Sequence, residues 1–579
     1  MKSPKYILFF FLFWGLSSCD SDFVEIDNAT AISTANYPKT VDDLEQLLAG
    51  VYATQHAAGI FGRAMGPYST YVLDHTCDLS WQGSPNWIQM AQNNTLPNDA
   101  FLRQIWPDLW RGVQRCNTLL AGIENVKANS TESATADIEL IRGQTRFLRA
   151  WYYYYLAAFW NETFIVDGIG GDRLGMPIVT EAANSLEATQ IVRATVQETW
   201  DFIISDLVAA SELLEGHTWT DPAHKHKADE WAAKGFLAKV YVFVQDWDAA
   251  TQLLYEVISN SGKSLAPFDT YRTMFNGEHE FNSESLYELS LNVDMTYPGA
   301  NDLSMGSHIG TMISPTYVSP TTGTAIASAW SNVFPHAKNI ERFGFNLGHY
   351  FPAGTTTANI ANVDPDYITA SKQARLQKAV DPRLWVACLQ PYVDSMMVNG
   401  TKYPISHYLD VNEIDMEAWS FRKYINLEGT ELEINRANGS NILWLRLADI
   451  YLLYAEALMR TGNNVDALEY INKVKRRAYG FGVDTPSPID YTSLTDRTMA
   501  ADPGLRNDPL KYERWAEFFG EFNWWFDVCR WKIGASEAAY YEKVRGGAIE
   551  WNDESDYAQP IPIDELNANP SMKQNRGYH

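Results

Sequence analysis

Two stretches of this chain share one pattern, in which a helix-length segment, a short polar turn and a second helix-length segment follow one another. They are Ala233–Ser259 and Trp444–Gly480, and each places two alanines twelve residues apart among apolar residues at helical spacing. A small residue lets two helices touch, and Gly462 stands where glycine commonly ends a helix. The pattern predicts helix pairs of the tetratricopeptide type. The alanine pairs are Ala238 with Ala250 and Ala455 with Ala467.

A long segment of different character separates the two stretches. Residues 262–440 are rich in Gly, Pro, Thr, Asn and Ser and show few helical stripes, while the aromatic residues spread through them favour an ordered structure. We therefore expect a mainly α-helical fold with a large irregular insert. The predicted segments are a signal peptide (1–18), a lipidated tether (19–40), an N-terminal helical part (41–261), the insert (262–440) and C-terminal helices (441–579).

The amino terminus predicts export and lipid attachment. A basic head with Lys2 and Lys5 precedes the apolar run Tyr6–Leu16, and Leu-Ser-Ser-Cys follows, ending at Cys19. Eleven residues of helix rise roughly 16 Å, about half a hydrocarbon core, so the run suits a signal peptide and not a membrane span. The last four residues resemble a bacterial lipobox, in which cleavage precedes the cysteine and its thiol carries lipid. An ordinary secretory signal is the alternative.

Charge and cysteine usage narrow the function classes further. The formal net charge of −26 repels nucleic acid phosphates and anionic lipid headgroups, so nucleic acid is not an expected partner. Four cysteines remain beyond Cys19, and an oxidising compartment would permit disulfides between them. Because a chain of this size needs no staples, we expect buried free thiols. These cysteines are Cys77, Cys116, Cys388 and Cys529.

Motifs of common catalytic and metal sites are missing from the chain. It has no nucleophile elbow, P-loop, dinucleotide fingerprint or zinc-protease helix. His217, His224 and His226 form its one histidine cluster, but they stand in a polar link that is more typical of a solvated loop than of a metal site. Paired carboxylates of a glycosidase are set in space and cannot be chosen among 71 acidic residues. We predict no catalytic residue, no metal and no cofactor.

Four sequence blocks occur in the order expected of one protein family. They contain an Arg-Phe-Leu-Arg-Ala helix, an Arg-Leu-Ala-Asp helix, a glutamate-rich block that ends near Asp-x-x-Arg-Trp, and a C-terminal segment. With these blocks the chain resembles the SusD/RagB family over nearly its whole length beyond the signal. The blocks are Gly143–Trp160, Trp444–Arg460, Tyr512–Lys532 and Pro560–Tyr578.

The resemblance implies a function at the cell surface. Family members are lipoproteins of the Bacteroidetes outer membrane that work beside a SusC-like TonB-dependent transporter. The expected function is capture of an oligosaccharide and its delivery to that transporter, from a lipid-anchored position that faces the exterior. RagB-like capture of a peptide, a purely structural role beside the transporter, and an enzyme such as a glycosidase are the alternatives. The resemblance favours a binding protein over an enzyme.

The resemblance also implies where the ligand binds, namely between the segment after the first helix and the long insert. Several aromatic residues there stand among Gly, Ser, Pro and Asn instead of on apolar helical stripes, which favours an open ring face. The irregular stretch Leu79–Asn98 is the N-terminal part of this expected site. The predicted ligand-binding residues are Asp78, Trp81, Trp87, Tyr297, Tyr317 and Trp330.

Charged residues in the family blocks have a spacing that suits structural ion pairs. Arg146 and Arg149 are three residues apart and share a helix face, and we expect them to pair with Asp449 and Glu456. Acidic residues four apart in the third block are expected to connect helices in the same way. They are Glu513, Glu517 and Glu521.

Overall fold

A computed structural model provides the three-dimensional structure of the chain. Helices form most of it, which confirms the expected mainly α-helical fold. The described residues are 37–72, 75–77, 85–128, 132–181, 185, 189–292, 306–318, 325–327, 330, 332–345, 365–406, 419–425, 427–429, 438–543 and 549–578.

The elements are numbered here in chain order. The helices are α1 (Val41–Thr54), α2 (Met65–Tyr71), α3 (Pro85–Ala91), α4 (Leu102–Ala128), α5 (Glu132–Trp160), α6 (Val196–Leu213), α7 (Glu230–Phe243), α8 (Trp247–Asn260), α9 (Phe268–Thr273), α10 (Ile309–Met312), α11 (Ala337–Arg342), α12 (Pro365–Gln377), α13 (Leu384–Ala387), α14 (Leu447–Arg460), α15 (Asn464–Ala478), α16 (Pro509–Phe518), α17 (Trp524–Arg530), α18 (Gly534–Lys543) and α19 (Ile563–Ala568). The strands are β1 (His75–Cys77), β2 (Ser285–Leu289), β3 (Thr316–Val318), β4 (Ala325–Ala327), β5 (Val333–Pro335), β6 (Cys388–Leu389), β7 (Ser395–Val398), β8 (Thr401–Ser406), β9 (Ser420–Phe421), β10 (Glu428–Gly429) and β11 (Ile442–Arg446).

The second half of helix α5 is buried along its whole length. The helix packs against α1, α4 and α6, and every residue from 147 to 160 is buried. A helix that is apolar on all sides must be surrounded by protein, which explains the run of aromatic residues in its second half. The ring of Trp444 reaches this helix from β11, and its indole N–H donates to the Tyr155 hydroxyl over 2.6 Å. The aromatic core therefore joins the two halves of the chain.

The two alike stretches form the predicted helix pairs. Helix α7 packs against α8, α14 packs against α15, and α8 also packs against α14, so the pairs are neighbours in one scaffold. Asp246 caps the start of α8, Asn463 caps the start of α15, and Gly462 before that cap has a φ of +91°. These are the residue types that helix starts and ends prefer. Assignment of the pairs to the tetratricopeptide class stays a prediction, as does the division into five segments.

The first helix of the second pair begins later than the sequence predicts. The sequence pattern predicts a helix that starts at Trp444, but this residue lies in strand β11, which pairs antiparallel with β2. Leu443 lies opposite Glu288, and the helix starts only at Leu447. Pairing with a distant strand outweighs the local helical pattern here, because the strand places Trp444 in the aromatic core.

The segment 262–440 is less irregular than its composition predicts. Its described parts contain α9 to α13 and β2 to β10, and five of the strands form one sheet in the order β10-β7-β8-β3-β4. Strands β7 and β8 form a hairpin in which Val398 lies opposite Thr401. The two turn residues, Asn399 and Gly400, have φ values of +51° and +75°, as an Asn-Gly hairpin turn requires. Short strands joined by such turns account for the Gly, Thr and Asn content.

The expected partners of Arg146 and Arg149 are wrong. Both guanidinium groups bind Asp206 on α6, with Arg149 Nε 2.7 Å from Oδ2 and Arg146 Nη1 2.7 Å from Oδ1. Asp449 instead pairs with Lys239 and Arg514. Helical spacing shows which residues share a face, but it does not show which helix that face meets, and α5 meets α6. Glu456, the other expected partner, pairs with Arg530.

Three cysteines are buried free thiols, as expected: Cys116, Cys388 and Cys529. Burial raises the pKa of each thiol, so these side chains stay protonated and unreactive at neutral pH. Cys77 lies in strand β1. Among the residues that the structure describes, no helix is both long and apolar enough to cross a membrane.

Candidate ligand-binding site

A strand pair joins the two chain segments that the sequence analysis assigned to the ligand site. Strand β1 runs antiparallel to β5, with Cys77 opposite Val333 and His75 opposite Pro335. Residues 75–77, which directly precede Asp78 and the stretch Leu79–Asn98, are therefore hydrogen-bonded to the insert. Three of the predicted site residues lie outside the described residues: Asp78, Trp81 and Tyr297.

Trp330 presents an open ring at this junction. Its side chain is 38% exposed, and it is the one exposed tryptophan among those that the structure describes. The backbone N–H of Trp330 donates to the Thr311 carbonyl over 3.1 Å, and that of Asn332 donates to Met312 over 2.7 Å. Both acceptors belong to α10, so the backbone that carries the indole is hydrogen-bonded to this helix at Trp330 and again two residues later.

The Trp330 ring contacts a histidine that is tied to the helical core. His308 lies edge to face with the indole at a centroid distance of 5.0 Å, and its backbone N–H donates to the Gly62 carbonyl over 2.7 Å. Burial, with a contribution from the nearby charge of Arg63, lowers the pKa of His308 to about 4. The imidazole is therefore neutral at pH 7 and adds an uncharged, rigid support beneath the ring.

Tyr317 lies on the five-stranded sheet as one of a pair of rings. It is half-buried in β3, and its ring lies 5.4 Å from that of Tyr403 on the neighbouring strand β8, with the planes 36° apart. The strand register places Tyr317 opposite Ile405. Two tilted rings on one sheet face form a compact aromatic surface on the insert, as cross-strand aromatic pairs commonly do.

Trp87 differs from the expected open platform. It lies in α3 and is only 5% exposed, with its ring edge to face against Phe101 at 4.9 Å. The composition of Leu79–Asn98 predicts an irregular stretch, yet residues 85–91 form a helix, and Trp87 and Met90 turn into the core. The Trp87 ring therefore offers no free face and supports the fold from inside.

A polar cavity that the sequence analysis missed lies elsewhere on the molecule. Its volume is about 360 Å³, and charged groups of both signs line it, among them Arg173, Lys532 and Asp553. The Lys532 ammonium donates to the Thr163 hydroxyl over 2.6 Å. The lining comes from four chain segments and includes none of the predicted site residues. No local pattern marks such a cavity, because only folding brings its residues together.

Comparison with known proteins identifies the family. A model described as "SusD family" matches residues 294–578, and one described as "Starch-binding associating with outer membrane" matches residues 22–242. SusD-like protein P25 of Formosa agariphila is 24% identical over 596 residues, and the alignment covers 100% of both chains. Starch-binding protein SusD of Bacteroides thetaiotaomicron is 23% identical over 530 residues, which is 87% of this chain and 83% of that protein.

Solved structures agree with this assignment at the level of the fold. A laminarin-binding SusD-like protein superimposes with a TM-score of 0.65 at 20% identity, over 93% of this chain and 100% of that one. The two family models together span most of the sequence, and the relatives are matched over most of their length. The chain therefore belongs to the SusD family.

Proposed function

We propose that the protein captures a glycan at the cell surface and delivers it to a SusC-like TonB-dependent transporter. Association with the outer membrane follows from the family, whose matching models include one described as starch-binding and associated with that membrane. A starch-binding protein and a laminarin-binding protein are among its similar proteins, and both names denote glycan ligands. These names support an oligosaccharide as the ligand class and leave its identity open.

The observation that carries the proposal is the exposed indole of Trp330 on a fixed base. A sugar ring hides about 50 Å² of such a platform, which contributes about 1 kcal/mol at roughly 25 cal/mol per Å². Binding near 1 mM needs about 4 kcal/mol, so further rings and polar groups must converge. We propose Trp81, Tyr297 and Tyr317 as further aromatic contacts and Asp78 as a polar contact.

The lipid anchor is the second part of the proposal. Cys19 follows a signal-like apolar run, and residues 20–35 form a polar stretch before the helical scaffold begins at Val41. A diacyl chain at Cys19 would hold the folded part at the membrane surface, where the transporter lies. Co-purification tests the partnership: protein extracted with its lipid in mild detergent should retain a TonB-dependent transporter. Recovery of the protein alone from intact membranes would contradict this part.

Glycan binding is tested by calorimetric titration of the mature protein with starch, laminarin and peptide panels. Trp330→Ala should weaken glycan binding at least fivefold, because about 1 kcal/mol is lost with the platform. Tyr255→Ala is the matched control, since Tyr255 is a 54% exposed ring on α8, outside the proposed site. Unchanged affinity in Trp330→Ala, or binding of peptides alone, would contradict the assignment.

We further propose that binding is not followed by chemistry. The family resemblance favours a binding protein, and the sequence carries no catalytic motif. Incubation of the purified protein with each polysaccharide it binds should release no new reducing ends. Turnover that disappears on replacement of a single carboxylate would overturn this point and identify a glycosidase.

A further inference from the structure

A narrow apolar slot lies between four elements of the C-terminal and insert regions. It is bounded by α9, the end of α12, α13 and the end of α15, and its volume is about 200 Å³. Its walls include the rings of Phe268, Trp385 and Tyr479. Pockets for drug-sized molecules measure about 300–1,000 Å³, so this slot suits a single ring or one monomer unit. We refer to it as the Arg272 slot.

The charged groups at the rim of the Arg272 slot are all cations. Arg272, Arg375 and Lys378 line it, and its described lining includes no carboxylate. Arg375 is neutralised by Asp394, with two hydrogen bonds of 2.7 and 2.8 Å. Arg272 and Lys378 are exposed, and neither forms an ion pair with a carboxylate in the described part of the chain. The Lys378 ammonium donates to the Tyr479 carbonyl, which holds it at the rim.

A fourth cation lies directly behind the slot. Arg422 is 8% exposed, and its guanidinium donates to the backbone carbonyls of Arg272 and Val386. No carboxylate pairs with it among the described residues. Burial, reinforced by repulsion from Arg272, lowers the pKa of Arg422 to about 10, so it still carries its charge at pH 7. Glu278 and Asp394 are the acidic groups whose charge acts on it.

This arrangement is unusual in a chain with a net charge of −26. The net negative charge disfavours anions on average, whereas four cations meet at the Arg272 slot. Among the described residues, Asp394 is the one carboxylate that forms an ion pair with any of them. Low-dielectric walls strengthen the attraction of such a cluster for an anion. An apolar slot with unpaired cations at its mouth matches a ligand that has a compact ring and one carboxylate.

We propose that the Arg272 slot is a second ligand site, which takes a carboxylate carried on a ring-sized body. The ring enters between Phe268 and Tyr479, and the carboxylate stays at the mouth, bound by Arg272 and Lys378. Two sources share this chemistry: a free aromatic acid, and a uronate residue of an acidic glycan. The site does not depend on glycan capture at Trp330, so either can fail without the other.

Calorimetric titration with 4-hydroxybenzoate and with glucuronate distinguishes the two sources. Their neutral counterparts, 4-hydroxybenzyl alcohol and glucose, should bind at least tenfold more weakly, because charge-assisted hydrogen bonds are lost. The double variant Arg272→Ala/Lys378→Ala should weaken binding of the acid about tenfold or more. Lys372→Ala is the matched control, since Lys372 is an exposed cation on the same helix α12 but not in the lining.

The variants are expected to fold, because Arg422 uses the backbone carbonyl of Arg272 and not its side chain. Arg272→Lys should keep most of the affinity, and raising the salt concentration should lower it. Binding of either acid with this dependence supports the site and names its source. Failure of both acids to bind, equal binding of the neutral counterparts, or an equal loss in Lys372→Ala would overturn it. Trp330→Ala should leave binding of the acid unchanged, which separates this test from that of the glycan site.

Discussion

Arg446 and Glu521 form a bidentate ion pair in the interior of the protein. Arg446 Nε lies 2.8 Å from Glu521 Oε2, and Nη2 lies 2.8 Å from Oε1, with both side chains almost fully buried. The other side of the same guanidinium contacts Glu284 and Glu517, each over 2.7 Å. One arginine at the end of β11 thereby connects the insert, the start of α14 and the block around α16.

The network extends beyond this arginine. Arg477 on α15 also pairs with Glu284 and Glu517, and Arg383 pairs with Glu513. The glutamates spaced four apart thus connect helices, which confirms their predicted structural role. Removing one partner from such a network leaves an uncompensated buried charge, and this costs more than the intact pair contributes.

Glu517→Gln should be strongly destabilising. It leaves Arg446 and Arg477 facing each other with one carboxylate fewer, and we expect a loss of about 3–5 kcal/mol in the free energy of unfolding. Asp564→Asn is the control. Asp564 pairs with Arg103 at the surface, where the Arg103 side chain is 45% and the Asp564 side chain 59% exposed, so this pair should contribute under about 1 kcal/mol. Urea unfolding of both variants measures the difference, and a similar small loss in both would contradict the prediction.

The free energy of unfolding should fall steeply below about pH 4. Burial alone would raise the pKa of Asp449, but the charges of Lys239 and Arg514 outweigh burial and lower this pKa to about 2. In the same way, the charge of Arg342 outweighs burial at Glu537 and lowers its pKa to about 2. A carboxylate with a lowered pKa stabilises the fold above its unfolded pKa of about 4. That contribution disappears as the pH falls towards 2.

Urea unfolding at pH 4 and at pH 3 measures this effect. This interval avoids the titration of Asp229, because burial raises the pKa of that carboxyl to about 6. Between pH 4 and 6, Asp229 makes the free energy of unfolding rise as the pH falls, which is opposite to the effect of Asp449 and Glu537. Glu537→Gln should reduce the difference between the two pH values, although it also lowers stability at both. Equal unfolding free energies at pH 3 and pH 4 in the unsubstituted protein would show the prediction to be wrong.

Trp87→Ala should destabilise the protein, whereas Trp330→Ala should leave its stability nearly unchanged. Loss of the buried Trp87 ring leaves a cavity beside Phe101 and should cost about 3–5 kcal/mol of stability. Loss of the exposed Trp330 ring should leave the melting temperature within a few degrees of the unsubstituted protein. Thermal melts check both, and an early melt in Trp330→Ala would identify that ring as a structural plug instead of a platform.

Cys19→Ala should remove the lipid anchor. Without the thiol the lipobox-like sequence has no group to carry diacylglycerol, so the protein should be released or remain as unprocessed precursor. Detergent-phase partitioning of membrane extracts measures this directly. A variant that enters the detergent phase as the unsubstituted protein does would contradict lipid attachment at this residue.

The helix pairs show how far local sequence reaches. Their alanine spacing, the caps Asp246 and Asn463, and the turn at Gly462 act within a few residues, so the pattern predicts α7 with α8 and α14 with α15. Local reasoning fails at Trp444, because pairing with β2 joins residues that are far apart in the chain. It fails at Trp87 because burial against Phe101 depends on how α3 packs in the folded protein.

The sequence by itself determined the helical class and the family, and it predicts the signal at the amino terminus, since each depends on short-range patterns. The tertiary structure decided which charges meet: Arg149 binds Asp206, and Arg446 binds Glu521. It also decided which rings stay open, because Trp330 and Trp87 both occur in polar, Gly- and Pro-containing surroundings and differ only in what folds over them. Burial and ion pairing depend on which residues are neighbours in space. Arg149 and Asp206 are 57 positions apart in the chain, and no local sequence pattern predicts that they meet.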